Sequence, residues 1–183
     1  MSLKHAILVL LETEAGSGYD LLKGFKQRLG FFWNASHQQI YQQLKKMHEE
    51  QLIELTMEKQ NGKPDRKVYH LTDSGREELA TWIADPVKPN KVNDALLVKL
   101  YAGHMTEPDV LLKELQRHKE IHQKMLATFL DLEAQLNALP KDKQTPYRLP
   151  YLTLRRGIIG EEGWLQWAEE VEEELSKMKK AAG

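Results

Sequence analysis

The 183-residue chain carries 26 basic and 27 acidic residues, a net charge of −1. It is therefore no polycation, and any attraction to nucleic acid has to come from local patterning of charge. Hydrophobic residues make up 41% of the chain, enough for a compact core in one or two domains. The absence of cysteine excludes disulfides, thiolate chemistry and cysteine-ligated zinc.

The apolar run Leu3 to Leu11 suits a buried helix. Its Ala6–Leu11 segment is too short for the apolar region of a signal peptide, and no stretch approaches the roughly 20 apolar residues of a membrane span. A cytoplasmic protein with no membrane partner is expected. A second helix starts at Ser17-Gly18-Tyr19-Asp20, with Asp20 in the acidic first-turn position, and Gly30 ends it. Phe31-Phe32-Trp33 then anchors a turn.

Ser36 with Gln39 three residues later fits a capping box at the start of a third helix. Ile40, Leu44 and Met47 form its core stripe. The opposite face shows His37, Gln38, Tyr41, Gln42 and Lys45, groups that bond base edges or phosphates. The other reading is an ordinary solvated face, with Tyr41 partly in the core. From Leu21 to Met47 the charges are Lys23, Lys26, Arg28, Lys45 and Lys46, with no acid among them. Such a local basic face steers binding within the screening length of about 8–10 Å.

Leu52–Glu58 reads as a strand and Val68–Leu71 as its partner, with Tyr69 and Leu71 facing the core. Between them lie an Asn61-Gly62 turn signal and the basic residues Lys59, Lys63, Arg66 and Lys67. Helix, helix, exposed polar helix, basic hairpin is the order of a winged DNA-binding domain. The helix that begins near Thr72 is broken by Asp85-Pro86-Val87-Lys88-Pro89-Asn90.

A helix of about ten residues follows, from Asn93 to Gly103, and then a long one from Glu107 to Leu139. Its seam falls at Leu111, Leu115, His118, His122, Met125, Phe129, Leu132, Leu136 and Leu139, in alternating steps of four and three. After a loop from Pro140 to Pro150, a second long helix runs from about Tyr151 to Met178. Its apolar side holds Tyr151, Leu154, Ile158, Leu165, Ala168, Val171, Leu175 and Met178. The expectation is a helical hairpin whose exposed seam a second copy covers, so that a two-fold axis sets two recognition helices about 34 Å apart. The competing reading folds that seam onto the N-terminal domain of a monomer.

Three features of this half bear on chemistry. His118 and His122 have the spacing of two metal ligands, but polar residues inside a seam more often fix register, and no metal or other cofactor is expected. Gly157, Gly160 and Gly163 each cost a helix about 1 kcal/mol, so either a helix crosses closely or room is left for a ligand. Tyr151, Arg155, Trp164 and Trp167 either hold a planar aromatic carboxylate by stacking and charge pairing or simply form core and interface.

The segments Leu3–Leu11, Ser17-Gly18-Tyr19-Asp20-Leu21, Phe32-Trp33, Ile40-Tyr41 with Leu44-Lys45-Lys46, and Tyr69-His70-Leu71-Thr72-Asp73-Ser74-Gly75 together resemble the PadR family of bacterial transcriptional regulators. Tyr151 to Gly157 and Trp164-Leu165-Gln166-Trp167 resemble the helical C-terminal domain of its longer subfamily. The resemblance implies a homodimeric winged-helix regulator, usually a repressor, that binds a palindromic operator and often governs detoxification or phenolic-acid genes. It implies a recognition helix in the major groove and a wing at the adjacent minor groove or backbone. Matched residue by residue, Tyr19, His37, Gln38, Tyr41, Gln42 and Lys45 take the contacting positions, and Lys63, Arg66 and Lys67 belong to the wing.

The fold expected is mainly α. A winged helix-turn-helix with a two-stranded wing spans 1–85, a linker 86–92, and a helical hairpin that forms the dimer, and that could sense an effector, 93–183. Gln38 and Gln42 suit adenine edges, at about 1–3 kcal/mol of discrimination each. Tyr19 and Tyr41 suit phosphates, and Lys45, Lys63, Arg66 and Lys67 neutralise them, each adding about 0.9 to the salt slope. No nucleophile elbow, P-loop, dinucleotide fingerprint or spaced carboxylate pair is present, so no enzyme is expected. The readings that compete are a protein–protein adaptor on the same winged fold and an activator of the same architecture.

Overall fold

Leucine and isoleucine on successive turns commit the first segment to the interior: α1 (Leu3–Thr13) buries Ile7, Leu8, Leu10 and Leu11. The structure, a computed structural model, describes residues 3–30, 33, 35–59, 65–89, 91 and 93–182. Phe31, Phe32, the Asn61-Gly62 turn and Lys63 lie outside these residues. The chain divides into two compact units, Met1–Asn90 and Lys91–Gly183.

In the first unit, α2 (Gly18–Gly24) starts at a capping box: the Ser17 hydroxyl accepts from the Asp20 amide, and the Asp20 carboxylate accepts from the Ser17 amide at 2.7 Å. The helix widens into a π-turn over Phe25–Leu29 and ends at Gly30. The capping box expected at Ser36 and Gln39 opens α3 (His37–Glu49), which buries Ile40, Leu44 and Met47. Full burial of such a side chain stabilises by about 1.5–3 kcal/mol, which fixes which face of α3 turns inward. The chain leaves α3 through Gln51 at φ 60°, with the Leu52 amide donating to the Met47 carbonyl at 3.0 Å. This left-handed stop usually takes glycine, which is why the sequence does not announce it.

Strands β1 (Ile53–Glu58) and β2 (Arg66–Leu71) pair antiparallel, in register from Ile53↔Leu71 to Glu58↔Arg66. β2 begins two residues before the expected Val68, so Arg66 and Lys67 belong to the strand. Gly16, between α1 and α2, adds a bridge to Tyr69 through hydrogen bonds of 3.1 and 2.9 Å. α4 (Asp73–Ala84) is capped by the Thr72 hydroxyl and closes over α1, where His5 stacks on Trp82 with ring centres 4.6 Å apart. Leu21, Phe25, Ile53 and Leu79 complete the core, and Tyr69 and Leu71 pack on its edge as expected. The result is a winged helix-turn-helix with a two-stranded wing.

The second unit opens with α5 (Ala95–Tyr101), capped by Asp94, followed by a 3-10 turn over Gly103–Met105. α6 (Pro108–Asn137) has proline at its first position, where the missing N–H costs nothing. The segment read as a loop from Pro140 to Pro150 is in fact helical for most of its length. α7 (Lys141–Gln144) and a 3-10 turn over Thr145–Tyr147 lead into α8 (Arg148–Ala182), which takes Pro150 in its first turn.

α6 and α8 form an antiparallel hairpin, stitched by Asp109–Lys179 at 2.7 Å, Lys119–Glu172, His122–Glu161 and Glu133–Arg155 at 3.3 Å. Part of the heptad seam packs inside this hairpin, while Met125, Leu132, Leu136 and Leu139 stay half-buried. Leu111, Leu115 and Phe129 of α6 and Ile158, Ala168 and Leu175 of α8 are buried there, whereas Met178 is exposed. The apolar residues that remain exposed lie elsewhere, among them Leu149, Leu152 and Ile159 of α8 and Ile121 and Leu130 of α6.

The three glycines divide. A Cβ at Gly157 would stand 2.9 Å from the Phe129 ring, so the helices do cross closely there. At Gly160 it would meet only the movable Arg156 guanidinium, and at Gly163 nothing within 4 Å.

Candidate nucleic-acid interface

The start of α2 is the point on which the recognition elements converge. A Cβ at Gly18 would lie 2.5 Å from the Tyr41 ring, so α2 and α3 approach at a distance that only glycine allows. Tyr19, the next residue, is 71% exposed beside that crossing. Tyr41 accordingly lies between its two readings, with one side of the ring on Gly18 and 39% of the residue in solvent.

His37, Gln38, Gln42 and Lys45 are exposed on the face of α3 opposite its buried stripe. The His37 ring leans on Tyr41 with centroids 4.4 Å apart. The acids nearest in sequence come only at the end of the helix, where Lys45 meets Glu49 at 3.9 Å and Lys46 meets Glu50 at 3.7 Å. Exposed pairs of this kind hold side chains weakly, so both lysines remain available to a phosphate.

On the wing, Lys67 is exposed on β2, opposite Met57. Arg66 differs from the other wing cations. Its guanidinium donates to the Asp20 carboxylate and stands 3.6 Å from Glu58, its cross-strand neighbour. Partial burial pushes the Asp20 carboxyl up, but hydrogen bonds from the Ser17 hydroxyl, Arg66 and the Ser17 amide outweigh it and hold the group at about 2. Asp20 in turn raises Arg66 above its ordinary value. Burial likewise raises the Tyr69 phenol, with Tyr41 adding to it.

Sequence reasoning gave Asp20 only a first-turn role. The Ser17-x-x-Asp20 spacing could have shown the capping box, but nothing local points to a partner 46 residues away. Gly16 and Gly18 were missed for the same reason.

The four residues grouped as an aromatic-acid site separate into two pairs. Tyr151 donates to Glu133 at 2.9 Å and Arg155 donates to the same carboxylate oxygen at 3.3 Å. That bond raises the Tyr151 phenol above its ordinary value. Trp164 stacks on His122 at 3.7 Å and meets Trp167 edge-on at 5.6 Å, beside the cluster of Leu96, Leu115 and Ala168. At 1.5 Å rise per residue the two pairs stand roughly 15–20 Å apart along α8. His118 lies 3.6 Å from Glu114, and among the described residues no group of three or more His, Asp or Glu side chains could hold a metal ion.

The PadR-like family of transcriptional regulators matches residues 7–81, and the virulence activator alpha C-terminal family matches residues 92–176. A probable transcriptional regulator of Mycobacterium tuberculosis is 37% identical over 97% of this chain and 99% of its own length. The negative transcriptional regulator PadR of Bacillus subtilis is 34% identical over 92% of this chain and 94% of its own. Its crystal structure in complex with operator DNA superposes with a TM-score of 0.82, covering 94% of this chain and 98% of that one at 30% identity. The Vibrio cholerae virulence activator AphA superposes with a TM-score of 0.77 at 36% identity, over 97% and 99% of the two chains. No helix among the described residues is long and apolar enough to cross a membrane. With a winged domain and a helical hairpin both matched along nearly their whole length, the chain belongs to the PadR-like family of transcriptional regulators.

Proposed function

We propose that the chain is a homodimeric repressor that reads a palindromic operator in the cytoplasm and works by binding rather than by catalysis. One observation carries this most: α3 turns Ile40, Leu44 and Met47 inward and presents His37, Gln38, Tyr41, Gln42 and Lys45 together on its exposed face. Inserted in the major groove, this face offers Gln38 and Gln42 to adenine edges and Tyr41 and Lys45 to phosphates. Tyr19 adds a phosphate contact from the start of α2, and Lys63 and Lys67 do so from the wing. The Bacillus subtilis relative supports the reading, being a negative regulator crystallised with operator DNA.

The same relative has been crystallised with p-coumaric acid, which supports an aromatic acid as effector. Trp164 and Trp167 would supply a stacking surface. Arg155 and Tyr151, held by Glu133 and roughly 15–20 Å away along α8, would not reach the same ligand, so its carboxylate would need another partner. The similarity to AphA, a virulence activator, favours a second reading in which the same architecture activates.

The test is fluorescence-anisotropy binding to duplex from upstream of the protein's own coding sequence, titrated with salt. Gln38→Ala is expected to lose about 1–3 kcal/mol of preference over random duplex with the salt slope intact. Lys45→Ala is expected to lower that slope by about 0.9 and weaken both duplexes alike. Wild-type affinity that ignores salt and does not prefer any duplex would instead favour a protein–protein adaptor.

A further inference from the structure

Arg66 looks like one more phosphate contact in a basic wing, but its surroundings argue otherwise. It sits between two carboxylates, Asp20 of α2 and Glu58 of β1. With two carboxylates against it, the Arg66 guanidinium is already neutralised and its donors are engaged, which leaves it little to offer a phosphate. The acceptor is also a fixed one, because the Asp20 carboxylate is held from behind by the Ser17 amide and hydroxyl that cap α2. A planar guanidinium against a prepositioned carboxylate is a directional tie, not merely an attraction.

The position of this tie along the strand gives it a role. β2 is pinned to the α1–α2 turn by the Gly16↔Tyr69 bridge. Arg66 lies three residues further toward the wing tip, about 10 Å along an extended strand. With the bridge alone, the strand can pivot about Tyr69. With Asp20 gripping Arg66, two points fix its direction against α2, the helix whose Gly18 also seats Tyr41 of the recognition helix.

We propose that the Arg66–Asp20 pair is a latch that aims the wing, so that Arg66 is a positioning residue for DNA binding and not a phosphate contact. This rests on the DNA-binding reading above. The recognition helix and the wing tip have to reach the duplex together, and a wing held in place beforehand loses less freedom when it does so. Asp20, an acid beside a DNA-binding surface, then strengthens binding where simple charge counting says it should weaken it.

The experiment compares Arg66→Ala, Arg66→Lys, Asp20→Asn and Lys67→Ala in the same salt-titrated anisotropy assay, with thermal melts to confirm folding. Arg66→Ala and Asp20→Asn are each expected to lower affinity about tenfold with an unchanged salt slope, and the double variant to be no worse than either. Arg66→Lys keeps the charge without the fork and is expected to recover part of the loss. Lys67→Ala supplies the contrast, with a slope lowered by about 0.9. A slope lowered to that extent in Arg66→Ala, or tighter binding by Asp20→Asn, would overturn the latch.

A second readout needs no DNA. The chain has no cysteine, so spin labels at Lys23→Cys on α2 and Lys59→Cys at the wing report their distance distribution directly. The distribution is expected to broaden in Arg66→Ala and Asp20→Asn, and an unchanged width would sink the proposal even where affinity falls. Failure of the wild type to bind any duplex would show instead that the DNA-binding reading itself is wrong, and would take the aiming role down with it.

Discussion

Asp20 illustrates how much one side chain carries in a small domain. It caps α2, pairs with Arg66, and is held at about 2 against an ordinary 3.8. A carboxyl lowered on folding stabilises the fold fully above its unfolded value, and the gain disappears as pH falls toward the folded value. Between about pH 4 and pH 2 the wild type is therefore expected to lose about 1 kcal/mol that Asp20→Asn does not lose. That figure allows for solvent screening of a side chain 43% exposed. Urea melts of both proteins across this range would check it, and parallel losses would show that the pair carries no such linkage. The capping part of this role was legible in the Ser17-x-x-Asp20 spacing, because a cap is local chemistry. The pairing with Arg66 was not, because only the folded hairpin returns residue 66 to α2.

Among the elements, the hairpin of α6 and α8 is decided by what can fit between the helices. Phe129 fills the space left open at Gly157, and the ion pairs from Asp109–Lys179 to Glu133–Arg155 keep the two helices in register. Gly157→Ala gains about 1 kcal/mol in helix propensity but forces a methyl against the ring, which costs about 1–3 kcal/mol. The expected net effect is a loss of about 1 kcal/mol by chemical denaturation. Gly163→Ala, where a Cβ meets nothing within 4 Å, is expected to show no such loss. Equal stability of the two variants would mean that α8 shifts freely to relieve the contact. The heptad spacing on α6 was visible in the sequence, since Leu111, Leu115 and Phe129 recur on one stripe. What the spacing could not say was whether that stripe meets α8 of the same chain or a second copy.

For the whole molecule, the exposed apolar residues of the second unit set the expectation for assembly. Leu149, Leu152 and Ile159 line α8 outside its buried side at heptad intervals, where a second copy would cover them. Leu152→Asp together with Ile159→Asp is expected to yield a folded monomer by sedimentation and circular dichroism. Its affinity for the full operator should fall at least tenfold, because two half-sites are no longer engaged by linked domains. A dimer that persists in the double variant would place the interface on a different face.

The sequence by itself determined the elements and the class. Periodicity, caps and turn residues act over three or four positions, and they sufficed for the winged fold, for the polar face of α3 and for the resemblance to PadR regulators. Tertiary structure decided which partner each surface took. It buried Leu111, Leu115 and Phe129 of the α6 seam, separated Tyr151 and Arg155 from Trp164 and Trp167, and turned Arg66 from a wing cation into the mate of Asp20. The physical reason is one of range. Helix and strand signals are local, whereas an ion pair between residues 20 and 66, or a ring seated on Gly157, exists only after the chain has brought distant segments within a few ångströms.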